Sequence, residues 1–299
     1  MDMLDNKFRC GYVAILGKPN SGKSTLLNRL VETKVSAVTH KPQTTRKKIV
    51  AIYNDADSQI IFLDTPGIFE PCYELQRIML KIALKAIEEA EVILYMVDVE
   101  QKELDNNVLG GIEIIKKPVF LIINKIDTVN KERLLPLIDE AKETFPFKEI
   151  IPISALKRAN TDDIIKTLKK YLPYGPPLFP QETLSSLPER FFVAETIKEQ
   201  IFLQYSEEIP YSTAVYIDEF HEATPDRKKD YIRAIILVER DSQKSIIIGK
   251  KGEAIKELGI NARKNIELFL NREVFLELFV KTRKKWRENE TMLRNMGYL

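Results

Sequence analysis

The fold of the first half of the chain is decided by the stretch Gly17-Lys18-Pro19-Asn20-Ser21-Gly22-Lys23-Ser24. It matches the P-loop pattern G-x-x-x-x-G-K-[ST], and it lies between an apolar run and a helical pattern. Such glycines let backbone N–H groups turn inward around phosphate oxygens, and the following helix adds the positive end of its dipole. We predict that Lys23 reaches the β- and γ-phosphates of a nucleotide and that Ser24 binds Mg²⁺. The predicted phosphate-site residues are Gly17, Lys18, Pro19, Asn20, Ser21, Gly22, Lys23, Ser24 and Thr25.

Short apolar strands alternate with amphipathic helices over the first 172 residues. The candidate strands are Cys10–Leu16, Lys48–Tyr53, Gln59–Leu63, Val92–Val97, Val119–Ile123 and Ile150–Ile153. The helical patterns are Lys23–Glu32, Glu74–Ala90, Glu103–Lys116, Lys131–Phe145 and Asp162–Tyr171. This alternation predicts an α/β domain over residues 1–175, with a mostly parallel sheet between two layers of helices.

Two further segments are expected at the phosphates. Asp64-Thr65-Pro66-Gly67 follows an apolar strand, so the Asp64 carboxylate can hold Mg²⁺ through water and the Gly67 N–H can meet the γ-phosphate. Thr44 and Thr45 lie between the P-loop helix and the next strand. A threonine here can close over Mg²⁺ and the γ-phosphate and order its loop only in the GTP state. The spacing alone leaves open which threonine does so.

Base selection is predicted by Asn124-Lys125-Ile126-Asp127, which ends an apolar strand. The Asp127 carboxylate can accept hydrogen bonds from N1–H and the 2-amino group of guanine, and adenine offers neither donor. Such a polar match can discriminate by roughly 10⁴–10⁵. Lys125 can lay its stem over the base, and Asn124 can tie this loop to the P-loop.

The fifth element, Ser154-Ala155-Leu156, follows the sixth strand and offers the Ala155 N–H to guanine O6. All five elements of a GTPase domain are therefore present in the correct order. We predict a P-loop GTPase, with hydrolysis assigned to Lys23, Gly67 and one of the two threonines.

The position after Gly67 departs from the Ras-type pattern, in which a glutamine orients the attacking water. Here it is Ile68, whose side chain cannot form a hydrogen bond with water. Hydrolysis is therefore expected to be slow or to receive help from another group.

One source of help is a monovalent cation. Asn20 resembles the P-loop asparagine of potassium-activated GTPases, and Thr39, Lys41 and Thr44 fall where the cation-binding loop of that group lies. The resemblance implies a K⁺ against the phosphates in the role of an arginine finger. It also makes Thr45 the Mg²⁺ ligand.

Composition limits the class of protein. A chain of 299 residues has room for about two domains, and 44% hydrophobic with 30% charged residues suits a folded protein. No apolar run reaches the roughly 18 to 20 residues of a membrane span, and the first residues lack the apolar core of a signal peptide. Cys10 and Cys72 are too few for a disulfide framework. We expect a cytoplasmic protein.

The pattern changes at Pro173-Tyr174-Gly175-Pro176-Pro177-Leu178-Phe179-Pro180, whose prolines exclude helix and sheet. We predict a semi-rigid linker over 176–188 and a second domain over 189–299. The second domain has the element order α-β-β-α-α-β. Its last fifty-six residues hold 13 Lys/Arg against 7 Asp/Glu, a net charge of +6, which favours a polyanionic partner.

Within that domain, Ile246-Ile247-Ile248-Gly249-Lys250-Lys251-Gly252 looks like the I-G-x-x-G element of KH domains. In that fold a G-x-x-G loop clamps about four nucleotides of a single strand. The element order resembles the type II KH topology, so we expect a small α+β KH domain. The expected RNA-binding residues are Ile248, Gly249, Lys250, Lys251 and Gly252, together with Lys281, Arg283, Lys284 and Lys285 of a basic segment. Trp286 is expected to pack the last helix against the domain.

Taken together, Gln43-Thr44-Thr45-Arg46 and Asp64-Thr65-Pro66-Gly67-Ile68, followed by a KH domain, resemble the Era family of bacterial GTPases. The match covers nearly the whole chain. Phe69 departs from the histidine expected after Ile68 in many members. The resemblance implies GTP and GDP as ligands, binding to the 3′ end of 16S ribosomal RNA, and a role in small-subunit assembly. It also implies peripheral association with the inner face of the membrane, and we expect a monomer.

Two other functions remain open from the sequence. One is an RNA-binding module that holds its nucleotide structurally and turns it over hardly at all. The other is a membrane-associated or protein-regulating GTPase without RNA as its main ligand.

Overall fold

The computed structural model describes residues 8–100, 104–105, 108–111, 116–130, 132 and 134–298. The chain divides into two compact units. The first comprises the described residues up to Ser36, then Thr45–Pro71 and the described part of Met79–Ser186. The second comprises Ala37–Thr44, Cys72–Ile78 and the described part of Leu187–Leu299. Over the part of the chain that is described, every helix is too short or too polar to cross a lipid bilayer.

The first unit is built on a six-stranded sheet in the order β2-β3-β1-β4-β5-β6. Its strands are β1 (Arg9–Leu16), β2 (Ile49–Asn54), β3 (Ser58–Asp64), β4 (Val92–Asp98), β5 (Val119–Asn124) and β6 (Glu149–Pro152). All neighbours pair in parallel except β2 and β3, which pair antiparallel. The predicted mostly parallel sheet is therefore confirmed. The exception is possible because only three residues separate β2 from β3, too few for a parallel crossover.

Burial explains why these segments are strands. Every residue of β3 and β5 is buried, which is typical of parallel strands covered by helices on both faces. The covering helices are α1 (Lys23–Leu30), α2 (Glu74–Glu89), α3 (Leu134–Thr144) and α4 (Thr161–Tyr171). The carboxyl ends of β1, β3, β5 and β6 therefore bring the P-loop and the segments Asp64–Gly67, Asn124–Asp127 and Ser154–Leu156 to one edge of the sheet, where α/β folds bind ligands.

Half of one predicted helix, Glu103–Lys116, lies outside the described residues. Residues 108–111 of it are helical. The other helices of the first unit begin and end within three residues of the prediction, and the strands within two.

The proline-rich segment after α4 follows the edge of the sheet as an ordered strap. Gln59 accepts hydrogen bonds from the N–H groups of Leu178 and Phe179 at 2.8 and 2.9 Å. The Ile52 N–H donates to Leu184 O at 2.9 Å. Because β2 is an edge strand, this strap covers backbone groups that would otherwise be open to pairing with another chain.

The second unit has a three-stranded sheet in the order β7-β8-β9. Its elements are α5 (Glu189–Gln204), α6 (Ile209–Ser212), β7 (Ala214–His221), β8 (Asp230–Val238), α7 (Asp241–Ile248), α8 (Glu253–Leu270), β9 (Val274–Thr282) and α9 (Glu290–Asn295). β7 pairs antiparallel with β8, and β8 pairs in parallel with β9. The predicted small α+β domain is confirmed. Ser245–Ile248, which the sequence indicated only as a short apolar segment, is the end of α7.

The core of this unit lies between one face of the sheet and the helices. Alternate β8 residues Ile232, Ala234 and Ile236 are fully buried in one apolar cluster with residues of α5 and α8. Trp286 is also fully buried, and its Nε1–H donates to Ser212 O at 2.9 Å. The only tryptophan of the chain is therefore a packing residue, as expected, rather than an exposed stacking surface.

Candidate functional site

The P-loop connects β1 to α1, and its lysine is enclosed by the loop. Lys23 is 7% exposed, and its Nζ donates to Gly17 O at 3.0 Å and Lys18 O at 2.9 Å. Burial lowers the pKa of Lys23 from 10.5 to about 8, and the negative charge of Asp64 opposes that change. The ammonium group thus lies inside the ring of backbone groups that a P-loop uses to bind phosphates.

Three side-chain oxygen groups converge beside this loop. Ser24 Oγ lies 3.0 Å from Thr45 Oγ1 and 2.9 Å from Asp64 Oδ2. Octahedral Mg²⁺ takes oxygen ligands at about 2.1 Å, so two adjacent ligands lie about 3 Å apart. The hydroxyl–hydroxyl spacing and the donor chemistry both fit Mg²⁺. Of the two candidate threonines, the structure brings Thr45 to Ser24.

Gly67, the last residue of the Asp64–Gly67 segment (switch II), lies directly against the P-loop. A Cβ added to Gly67 would stand 2.7 Å from Pro19 N, so only glycine fits this approach. The next backbone N–H, that of Ile68, donates to Gly17 O at 3.1 Å. The Ile68 side chain packs against the apolar cluster that includes Leu16.

The base-recognition loops are joined by one buried side chain. Asn124 Nδ2 donates to Ser21 O at 2.8 Å, which ties this loop to the P-loop as the sequence indicated. Asn124 Oδ1 accepts from the Ala155 N–H at 3.0 Å. The Ala155 N–H, which we expected to meet guanine O6, is engaged with Asn124 in this structure. Asp127 is exposed on a short 3₁₀ turn.

Three contacts around this site were missed from the sequence. Ser36 Oγ donates to Asp64 Oδ2 at 2.9 Å, Lys125 Nζ pairs with Asp98 Oδ2 at 2.5 Å, and Arg29 holds Ala155 O at 3.3 Å. Ser36 shares its loop with Thr44 and Thr45, and Asp98 ends β4 beside the other motif-bearing strand ends. These positions in the sequence could have identified Ser36 and Asp98 as residues of the site.

The remaining predicted nucleotide residues lie in the same loops of the first unit. Gly17 and Ser21 are buried, Pro19 and Thr25 are half-buried, and Lys18 and Asn20 are exposed. Ser154 is buried and its Oγ accepts from the Lys157 N–H at 3.0 Å, whereas Leu156 is exposed. Gly22 precedes α1 with a φ of 101°.

The three predicted cation-loop residues belong to the second unit. Thr39 Oγ1 lies 2.6 Å from Thr44 Oγ1, which donates to Lys41 O at 2.8 Å. Lys41 Nζ points elsewhere: it donates to Phe202 O at 2.5 Å and to Tyr205 O at the end of α5. A cation at the N-terminal side of this loop would therefore meet the Lys41 carbonyl oxygen and not its ammonium group.

The predicted RNA loop connects α7 to α8 and needs both of its glycines. Gly249 and Gly252 have φ values of 73° and 80°, which disfavour side chains. A Cβ at Gly249 would stand 2.6 Å from Ala254 Cβ, whereas one at Gly252 would meet nothing within 4 Å. Gly252 therefore leaves an open approach to the loop, and Lys250 and Lys251 are exposed beside it.

The basic segment lies at the other end of α7. Thr282 Oγ1 donates to Asp241 Oδ1 at 2.7 Å, which fixes the end of β9 to the first residue of α7. The exposed basic residues of the segment are Lys281, Arg283, Lys284 and Lys285. Ile248, at the last turn of α7, is half-buried and packs against the core.

Comparisons with known proteins agree with both halves of this arrangement. A family model described as "50S ribosome-binding GTPase" matches residues 12–125, and a KH domain model matches residues 208–287. The chain is 46% identical over 298 residues to GTPase Era of Geobacter metallireducens, with 99% of this chain and 100% of that one covered. It is 43% identical over 294 residues to GTPase Era of Lactobacillus delbrueckii subsp. bulgaricus, with 98% and 97% covered.

Two solved structures match over the same length. One is an Aquifex aeolicus Era variant bound to GDP·AlF4⁻, and the other is Era in complex with MgGDPNP and nucleotides 1506–1542 of 16S ribosomal RNA. Each is 45% identical with a TM-score of 0.94, and each match covers 97% of this chain and 99% of the other. The predicted fold and enzyme class are confirmed, and the chain belongs to the Era family of GTPases.

Proposed function

We propose that this GTPase is a molecular switch that binds the 3′ end of 16S ribosomal RNA through its KH domain and assists small-subunit assembly. The observation that carries the proposal is the exposed Gly249–Gly252 loop, placed in a chain that also holds a complete P-loop site. The similar Era structure with MgGDPNP and 16S ribosomal RNA nucleotides supports both ligands.

On the nucleotide side, each residue has a separate task. Lys23 and the P-loop N–H groups bind the phosphates, and Ser24, Thr45 and Asp64 would hold Mg²⁺. The metal ion, when bound, neutralises charge on the β- and γ-phosphates. Asp127 selects guanine, and Asn124 holds the base loop and the P-loop in one arrangement.

On the RNA side, the two basic elements lie at opposite ends of α7. An eight-residue helix is about 12 Å long, which a strand of a few nucleotides can follow. The open approach at Gly252 admits the sugar–phosphate backbone, and the exposed lysines at both ends attract it. We therefore assign RNA contact to residues 249–252 and to the basic residues of 281–285.

The covalent path of the chain supports a switch. Within the first unit, Ser36 donates a hydrogen bond to Asp64, and Thr45 lies against Ser24, so both contact residues that would hold Mg²⁺. The eight residues between them belong to the second unit, where the Val38 N–H donates to Glu199 of α5 at 2.9 Å and Lys41 binds carbonyl oxygens at the end of α5. A nucleotide that holds Thr45 would therefore restrain one end of this segment, while the bond from Ser36 to Asp64 holds the other end.

We also propose that K⁺ assists hydrolysis at Asn20, Thr39, Lys41 and Thr44. The grouping of two hydroxyls with the Lys41 carbonyl supports it, because K⁺ prefers such neutral oxygen ligands. GTPase rates measured in KCl and in NaCl at equal ionic strength test it. A higher rate in KCl is expected, and equal rates would refute the proposal.

The main experiment measures binding of a labelled 3′-terminal 16S oligonucleotide by fluorescence anisotropy, with a non-hydrolysable GTP analogue or GDP. We expect selective binding over a scrambled RNA, and tighter binding with the GTP analogue. Lys250→Ser/Lys251→Ser should weaken binding and lower the salt slope by roughly 0.7 per lysine. Lys264→Ser, an exposed lysine on α8, is the matched control and should change neither.

Each other outcome has a definite meaning. Equal binding with both nucleotides would leave an RNA-binding GTPase without a switch. Loss of preference over the scrambled RNA would reject the 16S partner. Binding unchanged in the double lysine variant would move the RNA site away from the loop.

Three remaining points of the proposal rest on the sequence: the cytoplasm on its composition, a monomer on the lack of a coiled-coil pattern, and membrane contact on the family resemblance. The protein acts in the cytoplasm as a monomer, with peripheral contact to the inner face of the membrane. Sedimentation of the purified protein, alone and with anionic lipid vesicles, tests the last two points.

A further inference from the structure

The outer face of the KH sheet carries an exposed aromatic row that the RNA site does not use. His221, Tyr231 and Phe275 are aligned across β7, β8 and β9. Their rings stack at 6.0 Å between His221 and Tyr231 and at 6.1 Å between Tyr231 and Phe275. Phe275 is 54% exposed and Phe279, two positions farther along the same face, is 47% exposed. Exposed aromatic rings in such an ordered row are typical of binding surfaces.

The row beside it is charged. Glu219, Arg233 and Glu277 are aligned across the same three strands, next to the extra residue Asp218 of a β-bulge. Arg233 pairs with Glu219 and lies 3.6 Å from Glu277 and 3.9 Å from Asp218. Three carboxylates against one guanidinium leave a net charge of about −2 on this part of the face.

The side chain of Arg233 already places one cation between the two rows. The Arg233 guanidinium carbon lies 5.8 Å from the ring centroids of both Tyr231 and Phe279, within the range of a cation–π contact. A guanidinium between aromatic rings and carboxylates is therefore a favourable arrangement on this face. Phe275 and the exposed side of Phe279 remain open to further cations.

We propose that this face, defined by Glu219, Tyr231, Phe275, Glu277 and Phe279, binds an extended Lys/Arg-rich segment of a partner protein. Residues 275, 277 and 279 alternate along β9, so they repeat about every 6.6 Å on one face. An extended peptide with basic residues at alternate positions has the same repeat. Its side chains would lie over Phe275, beside Glu277 and over Phe279 in turn.

The charge of the face decides between classes of partner. RNA would bring its phosphates against Asp218, Glu219 and Glu277, and that repulsion opposes backbone binding. A second copy docked through the same face would place the same carboxylates opposite one another. A cationic peptide gains from both the rings and the carboxylates.

The test uses the full chain and a fluorescein-labelled peptide of six Arg-Gly repeats, measured by fluorescence anisotropy at low salt. The wild-type protein should bind it. Phe275→Ala/Phe279→Ala should weaken the binding about tenfold, which is the scale of two exposed cation–π contacts. Leu268→Ala removes a 74%-exposed apolar side chain on α8 and serves as the matched control, with no change expected.

A second pair of substitutions, Glu219→Gln/Glu277→Gln, keeps the rings and removes two charges. It should also weaken peptide binding, so the proposal can be tested even if the phenylalanine variant folds poorly by circular dichroism. A uridine dodecamer is titrated in parallel, and its affinity should stay within twofold for both pairs. The proposal is overturned by absent peptide binding in the wild type, by unchanged binding in both pairs, or by loss of RNA binding in the phenylalanine variant.

Discussion

The titration of Lys23 makes a quantitative prediction about nucleotide binding. In the nucleotide-free protein, burial lowers its pKa to about 8. Bound phosphates place negative charge beside the ammonium group and raise the pKa again. Nucleotide binding must therefore take up a proton wherever the free protein has lost one. At pH 8 about half of the free protein is neutral at Lys23, so binding should take up about 0.5 proton.

The same shift sets the pH dependence of affinity. At pH 9 about ten in eleven free molecules have a neutral Lys23, against about one in eleven at pH 7. The affinity for GDP should therefore fall about tenfold from pH 7 to pH 9, which is about 1.4 kcal/mol. The contribution of Lys23 to the stability of the free protein depends on pH in the opposite direction. Its folded pKa lies below its unfolded value of 10.5, so this contribution rises with pH between about 8 and 10.5.

The assay is isothermal titration calorimetry of Mg²⁺–GDP at pH 7, 8 and 9. Each pH is measured in two buffers of different ionisation enthalpy, which reports the number of protons taken up. Lys23→Arg is the control because a guanidinium stays protonated in this range. Zero proton uptake at pH 8 with a flat affinity in the wild type would refute the reasoning. A similar pH dependence in the arginine variant would assign the titration to another group.

Three further changes have expected outcomes. Asn124→Ala should lower GDP affinity more than tenfold, because two buried backbone partners lose their hydrogen bonds at about 1–3 kcal/mol each, measured by fluorescent-nucleotide titration. Trp286→Phe should lower the free energy of unfolding by about 1–3 kcal/mol in a guanidinium titration followed by circular dichroism, with RNA affinity unchanged. Ile68→Gln should not raise the GTPase rate in a phosphate-release assay.

The first unit was largely predictable because its signals are local. Each nucleotide motif is a few residues at the end of a strand, and the alternation of strands and helices places those ends at one edge. Ser24, Asp64 and Asn124 therefore stand where the motifs indicated. What the sequence could not show was the side-chain geometry, such as the bond that engages the Ala155 N–H with Asn124.

The missed features depend on contacts between distant segments. The outer face of the KH sheet requires the register of three strands and the bulge between Ile217 and Glu219, which shifts Glu219 opposite Arg233. No local pattern contains that shift. Likewise, Ser36 reaches Asp64 across 28 positions of sequence, and the strap from Leu178 to Leu184 bonds to residues more than a hundred positions earlier.

The position of Ile68 explains why its side chain cannot orient the attacking water. Its side chain packs into the apolar cluster beside Leu16, and its N–H binds Gly17 O in the P-loop. The residue that orients water in Ras-type GTPases is thus replaced here by one that joins switch II to the P-loop. A glutamine at this position would meet an apolar surface, where burying its amide carries a cost. Lys23 and the Mg²⁺ that Ser24 and Thr45 would hold are the remaining sources of charge stabilisation in the first unit, and the comparison of KCl with NaCl tests whether a monovalent cation adds to them.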